Sequence, residues 1–519
     1  MEKLIKMIPV VSVVLLSFAD GFAAGIELTA IGARATSMGG NYRAIADDWS
    51  AMYWNPAGLV HAEGWNIGVN LGYIMPRASF LVGSSHYYDT YGDADYQEFS
   101  AAYRSERPAE RKNHIAPSAG ISYNSGRMAF GVGLWVPMGW SAKWDLLQTA
   151  SDEPADAYGG LYSEYNAAYP KFEYESRIQF VDIHPAFSYR LTEKLSIGVG
   201  ASIVLGEIWI RQPAFLQNPY LYDRTMYRTL QDLEACGDVT LLNQMRRPPF
   251  DHLINEAEMK STGTAFGANA GIMYKPAREI SFGLSVQVYS DFTASGDYRQ
   301  TAYFGDAPLY QEQAELFDEA LYARLYENNL LDDQQYQILT EFYSGKVLPL
   351  VRDEAELILP LPMKAGIGVS YSGFGRLLLA MDFNYSRWSV WDVFIIKSLE
   401  GATLSELAFN WSDTYKLGFG FEYPLGNTAI RAGFSAENRA TPNESVSPTI
   451  PDIGDRYTLN LGIARPIGPL QLALNFERIF IGETDITTWI YNDLTLAQNV
   501  AGIYKVNANT LTLGLDYSF

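Results

Sequence analysis

The sequence predicts an all-β protein: a transmembrane antiparallel β-barrel of about fourteen strands, with an N-terminal hatch plugging its lumen and helical extracellular loops. Three observations predict it. Segment after segment alternates apolar with small or polar residues, as a wall between lipid and lumen requires. Tight turns and long connections take turns from one end of the chain to the other. The chain also opens with an export signal, and no later run is long and apolar enough for a spanning helix.

The signal occupies 1–23. Lys3 and Lys6 form its charged start, Met7–Phe18 its apolar core, and Gly21-Phe22-Ala23 a small-x-small cleavage site. The mature chain would begin near Ala24-Gly25. Residues 24–62 are assigned to the hatch. Their centre, Gly32–Leu59, mixes small, polar and aromatic residues with neither strand alternation nor a helical stripe. Such a segment packs compactly but builds no wall. Residues 63–519 are assigned to the barrel.

Strands are expected near 64–83, 113–124, 127–140, 171–190, 194–211, 259–275, 279–298, 361–373, 376–392, 408–424, 427–438, 454–466, 469–482 and 503–519. In the fifth, Leu195, Ile197, Val199, Ala201, Ile203 and Leu205 alternate with Ser196, Gly198, Gly200 and Ser202. In the tenth, Tyr415, Leu417, Phe419, Phe421 and Tyr423 alternate with Thr414, Lys416, Gly418, Gly420 and Glu422. Soluble antiparallel sheets alternate too. Here the polar face is studded with glycine, and aromatics end the apolar face.

Every second connection carries turn chemistry, as in Asn124-Ser125-Gly126, Thr192-Glu193-Lys194 and Pro466-Ile467-Gly468. The others are long: 84–112, 141–170, 212–258, 299–360, 393–407, 439–453 and 483–502. Short periplasmic turns and long outer loops mark outer-membrane barrels. Two loops carry helical spacing, with Leu316, Phe317, Ala320, Leu321 and Leu325 in one and Tyr222, Met226, Leu230 and Leu233 in the other. The last strand alternates through Leu511, Leu513, Leu515 and Tyr517 to a terminal Phe519. It resembles the signal read by the outer-membrane assembly machinery, and closure against strand one would remove its open edge.

Composition narrows the function. Aromatic residues make up 14%, with 35 Tyr and 11 Trp, and there are 44 Gly. The net charge of −21 excludes a nucleic-acid binder. The single cysteine, Cys236, forms no intrachain disulfide. No Gly-x-Ser-x-Gly elbow or His-Glu-x-x-His occurs, and the five histidines show no metal-ligand spacing. No enzyme activity, cofactor or metal is expected. His184 near an inward Ser is the sole catalytic possibility the spacing leaves.

The run Gly32-Ala33-Arg34-Ala35, Met38-Gly39-Gly40, Ala46-Asp47-Asp48 and Asn55-Pro56-Ala57-Gly58-Leu59 resembles the long-chain fatty acid outer-membrane transporter family (FadL/TodX type, OMPP1). So do Leu134–Trp140, Leu361–Gly366 with Asp382 and Trp388-Ser389, and Arg431–Gly433 through Arg456. Met138 departs from the family's usual Phe. The resemblance implies a fourteen-stranded barrel in the Gram-negative outer membrane, closed by a hatch carrying Asn55, Pro56, Ala57 and Gly58. It implies that the helical loops receive a hydrophobic molecule, that the hatch or its leading strand Gly25–Ile31 moves, and that cargo exits sideways where Pro137 and Gly139 bend the third strand. The implied partners are a fatty acid, outer-membrane lipid and lipopolysaccharide, and the assembly machinery; a monomer is implied. By alternation, Arg177, Lys364, Lys416 and Arg431 point into the lumen as candidate contacts for a ligand carboxylate, or as partners for acids such as Glu175 and Glu422. Uptake of neutral aromatic or alkane hydrocarbons, and a non-transporting structural or adhesive barrel, stand as alternatives.

Overall fold

The computed structural model describes residues 31–62, 64–82, 106–145, 169–217, 252–303, 326–328, 333, 347–450, 452–486 and 502–519. The export signal, the leading segment before Ile31 and most of the two helical loops lie outside the described residues.

Fourteen antiparallel wall strands close into a barrel. They are β1 (Trp65–Val82), β2 (His114–Asn124), β3 (Met128–Trp135 and Gly139–Trp144), β4 (Tyr174–Arg190), β5 (Leu195–Gln217), β6 (His252–Ala277) and β7 (Ile280–Tyr289 and Phe292–Tyr303). Then follow β8 (Val347–Leu359 and Lys364–Phe374), β9 (Leu377–Ser386 and Val393–Ser398), β10 (Thr403–Ala408 and Thr414–Leu425) and β11 (Thr428–Glu437). The last are β12 (Arg456–Ile467), β13 (Leu470–Ile481 and Thr484–Ile486) and β14 (Gly502–Ser518). β14 pairs with β1 from Asn66↔Ser518 to Val82↔Gly502, so the sheet has no free edge there. The expected strands and tight turns recur, and several of the strand ends on the loop side do not.

Several strands run further into the loop side than alternation predicts. β5 continues to Gln217, β6 begins at His252, β7 reaches Tyr303 and β8 begins at Val347. The expected loop 393–407 is a hairpin, with Val393 paired to Ala408. The reason is chemical. On β5, Ile197, Val199, Ile203 and Leu205 are exposed outside, while Ser196 and Ser202 are buried inside. Beyond Gly206 the phase is unchanged, but Ile208 is the buried residue and Glu207, Trp209 and Arg211 share the outer face. β4 repeats this: Ser188, His184 and Asp182 face inward near the turn, then Phe180 and Ile178 further up. Polar-inside holds only for the half of the wall that faces lipid.

Within the tight-turn half sits the hatch. It contains the short helices α1 (Ala33–Ser37) and α2 (Ala51–Trp54) and a 3-10 turn (Pro56–His61). Ile31, Ala35, Met38, Tyr42, Trp49 and Met52 are buried together as its core.

Candidate functional site

The lumen-facing glycines of the wall make room for the hatch. A Cβ on Gly433 would stand 2.1 Å from the Met38 carbonyl carbon, one on Gly271 2.0 Å from Asn55 Oδ1, and one on Gly462 2.2 Å from Ser37 Oγ. Side chains there would collide with the plug.

Polar groups then fasten what the glycines admit. Asn55 Nδ2 donates to the carbonyls of Arg43 (2.9 Å) and of Ile272 on β6 (3.1 Å), and its Oδ1 accepts from Ala57 N–H (3.2 Å). Pro56 opens the 3-10 turn that this bond caps. The Ala57 carbonyl accepts from Ser188 Oγ (3.2 Å) and Ser196 Oγ (2.8 Å). Gly58 has no room for a Cβ, which would fall 1.9 Å from the Ala46 carbonyl oxygen. On the opposite side Glu422 bridges hatch and wall, accepting from Arg34 Nε (2.8 Å) and Arg431 Nε (2.6 Å). Asp382 accepts from the Tyr42 and Arg43 backbone N–H groups at 3.2 and 3.1 Å. Burial, with Asp47 alongside, pushes the Asp48 carboxyl above its usual range. Burial and the nearby Lys275 and Arg190 hold the His61 imidazole down at about 4.

Above the hatch lie two chambers. The first, about 760 Å³ with its open mouth included, is floored by Gly40, Arg43, Tyr53 and Trp54 of the hatch. Arg43, Lys364, Lys416 and Arg456 line it against one carboxylate, Glu437. Gln287 Nε2 and Asn384 Oδ1 also line it, without a partner among the described residues. The second chamber, about 640 Å³ measured the same way, is apolar, with Trp140, Ile178, Ile208, Met259, Leu357 and Trp391 among its lining residues. Glu258, which pairs with Arg299, is the only carboxylate among its described lining residues, and none of them is a cation.

On each strand that serves both chambers, the basic-chamber residue lies nearer the tight turn. Asn269 and Met259 on β6 show this, as do Lys364 and Leu357 on β8 and Lys416 and Leu407 on β10. The apolar chamber is therefore the outer of the two. Trp391 belongs to an aromatic cluster with Trp411 (4.5 Å between centroids), Trp388 (5.0 Å) and Phe394 (5.2 Å).

Of the four cations that alternation placed in the lumen, Lys364 and Lys416 come together in the basic chamber. Arg431 is inward but tied to Glu422 and the hatch. Arg177 corrects the expectation: it shares the outer face with Glu207, which it pairs at 2.6 Å, opposite inward Ile178. The polar-inside rule misplaced it because the upper lumen is apolar. Arg43 is not a sequence candidate, because the hatch has no period to read, and Arg456 enters the sequence reading only through the family resemblance, because it opens its strand. Glu175 pairs with Arg211 (2.7 Å).

Pro137 and Gly139 do lie at a break in β3. Met128–Trp135 pairs with both neighbours, but pairing with β2 ends at Ser118↔Trp135, and Gly139–Trp144 pairs with β4 alone. His184 does meet a serine: Nδ1 lies 2.8 Å from Ser202 Oγ, which donates to Asp182 at 3.0 Å. The hydroxyl sits between imidazole and carboxylate, and all three are buried, so no nucleophile is presented.

A barrel with an apolar exterior, a fastened plug and an apolar cavity on the loop side of that plug defines a plugged outer-membrane barrel. A family model described as outer membrane protein transport protein (OMPP1/FadL/TodX) matches residues 10–519, and the chain belongs to this family. It is an outer-membrane transporter for hydrophobic molecules and not an enzyme. The long-chain fatty acid transport protein of Escherichia coli O6:H1 is 24% identical over 452 residues, 85% of this chain and 86% of that protein. Among solved structures, a Pseudomonas aeruginosa FadL homologue superposes with a TM-score of 0.68 at 17% identity, covering 95% of this chain and 100% of that one. The P. putida toluene transporter TodX gives 0.63 at 15% identity, covering 95% and 99%.

Proposed function

We propose that the cargo is a long-chain fatty acid or a similar amphipathic acid, taken up passively. The observation that carries this is the order of the chambers: an apolar one for a hydrocarbon chain, then a basic one over the hatch for a carboxylate. Cargo reaching the outer rim fills the apolar chamber first, removing both its own surface and the chamber's from water. Its carboxylate then meets Lys364, Lys416, Arg43 and Arg456. Displacement of the hatch, or exit sideways at the break around Pro137 and Gly139, completes passage. The kinship with the Escherichia coli fatty acid transporter supports this reading.

A second reading, uptake of neutral hydrocarbons, is favoured by one observation. The described wall of the apolar chamber offers no cation to an acid, and its one carboxylate, Glu258, is paired with Arg299. The fold likeness to TodX, whose name gives toluene as its cargo, fits as well.

The test is uptake of labelled long-chain fatty acid and of a neutral aromatic hydrocarbon into cells lacking their own transporter. On the fatty-acid reading, Lys364→Ala with Lys416→Ala lowers acid uptake by roughly tenfold, the worth of a charge-assisted hydrogen bond. Hydrocarbon uptake stays unchanged. Hydrocarbon uptake by the parent with no acid uptake would give the function to the second reading. Neither cargo entering would return the structural barrel to consideration.

A further inference from the structure

The connection between β11 and β12 has the composition of an outer loop, yet it does not stand over the barrel. Residues 439–450 fold into the lumen, where Ala440, Thr441, Ser445, Val446, Thr449 and Ile450 are buried. The base of this strap is braced. Asp452 Oδ2 accepts from the Ala440 N–H (3.1 Å), the Thr441 N–H (3.3 Å) and the Thr441 hydroxyl (3.1 Å), and Arg456 approaches Asp452 at 3.7 Å. Its tip reaches strands on the opposite side of the ring. The Thr449 carbonyl accepts from the Trp140 indole (2.9 Å) and the Ser176 hydroxyl (2.7 Å). The Pro448 carbonyl accepts from the Trp144 indole (2.9 Å).

Two of these three donors lie on Gly139–Trp144, the half-strand that has lost β2 as a neighbour, and the third lies on β4 beside it. On its other edge this half-strand has no strand ladder among the described residues, and one backbone bond, from the Glu110 N–H to the Lys143 carbonyl (2.9 Å), holds it there. The strap adds side-chain ties to this weakly held half-strand. It also meets the cargo site, since Ile450 and Trp140 both line the apolar chamber. One segment thus touches the cavity and holds the strand beside the break.

We propose that the strap is a latch on this break. Cargo filling the apolar chamber displaces Ile450 and Trp140, the bonds to Thr449 and Pro448 open, and the half-strand Gly139–Trp144 is freed to let cargo leave sideways. Trp144 and Ser176 are positioning residues, acting on cargo only through the strap. The inference rests on the transport reading above.

The experiment uses the full chain with Cys236→Ser, Ser176→Cys and Thr449→Cys, joined by a cleavable bis-methanethiosulfonate. Before linking, the variant, which has lost the Ser176 tie, imports cargo faster than the parent. Linking drops uptake to that of cells without a transporter, and reduction restores it. Binding of cargo to the purified protein, followed by tryptophan fluorescence, is weakened by linking but retained, because cargo and the closed latch oppose each other. Parental uptake by the linked protein would overturn the latch, as would binding lost together with uptake, which would make the strap mere chamber wall. Should the cysteine variant fail to fold, Trp144→Phe removes one tie outside the apolar chamber. Uptake then rises and affinity does not fall, and an unchanged rate overturns the latch. A parent that imports nothing would remove the transport reading itself.

Discussion

The two halves of the barrel share one strand phase and opposite chemistry. Near the tight turns the inner face is glycine, serine and asparagine, closed on a plug by close contacts and hydrogen bonds. Towards the loops the same inner rows carry Phe180, Ile178, Ile208 and Met259, and the outer rows carry Arg177, Glu207 and Arg211. The lower half has lipid outside and can fill its lumen with polar contacts. The upper half has water outside and can leave an apolar surface within. One half seals, the other receives. An empty apolar chamber gains about 25 cal/mol for each Å² of its wall that cargo covers, so the drive for uptake is built into the receiving half.

Changes that strike one half should leave the other intact. Gly433→Val should have the largest effect, because its side chain meets Met38 backbone, which cannot swing aside. Planar-bilayer conductance should show a persistently open channel, with cargo binding retained. A sealed channel would show that the glycines do not set the hatch's seat. Ile208→Asp should do the reverse. An uncompensated charge in the apolar chamber costs several kcal/mol, so fluorescence titration should find cargo affinity abolished while conductance stays low.

Asn55→Ala should be milder. It removes a cap worth about 1 kcal/mol and the tie to Ile272. Hydrogen exchange should quicken in residues 43–60 and remain unchanged around Trp391.

The smallest effect is one of pH. Docked His61 is held at about 4, below its ordinary value of about 6.5. Between these values an undocked His61 takes up a proton that the docked one refuses. Docking therefore weakens as pH falls through that window, and stability is full above it. Hydrogen exchange of the hatch should show this slope in the parent and lose it in His61→Gln. The raised Asp48 carboxyl acts in the opposite sense and stays in both proteins, so the comparison isolates His61.

The lipid-facing half of this architecture is legible from residues alone. Outward aromatics and aliphatics such as Phe266 and Val199, 63% and 55% exposed, force strict alternation, and the turns between such strands need glycine or proline. The upper wall is not legible in that way. Once water replaces lipid outside, Glu207 and Arg211 no longer look like a barrel's outer face, and Arg177 is assigned to the wrong side. The glycines were visible as a pattern on the polar face, but their cause is a plug that has no period of its own. The strap has the sequence of an outer loop, because Ser445, Ser447 and Thr449 suit water as well as they suit the carbonyl and hydroxyl partners met inside. Nothing local shows that Trp140 and Trp144, some three hundred residues earlier in the chain, supply its anchors.

The central claim is that cargo is held in the apolar chamber, above a hatch that stays shut. A crystal soaked with a bromine-labelled long-chain acid tests it most directly. Anomalous density is expected among Trp140, Ile208, Met259 and Trp391, with Asn55 still bonded to Ile272. Bromine among the hatch residues, with the chamber empty, would contradict it.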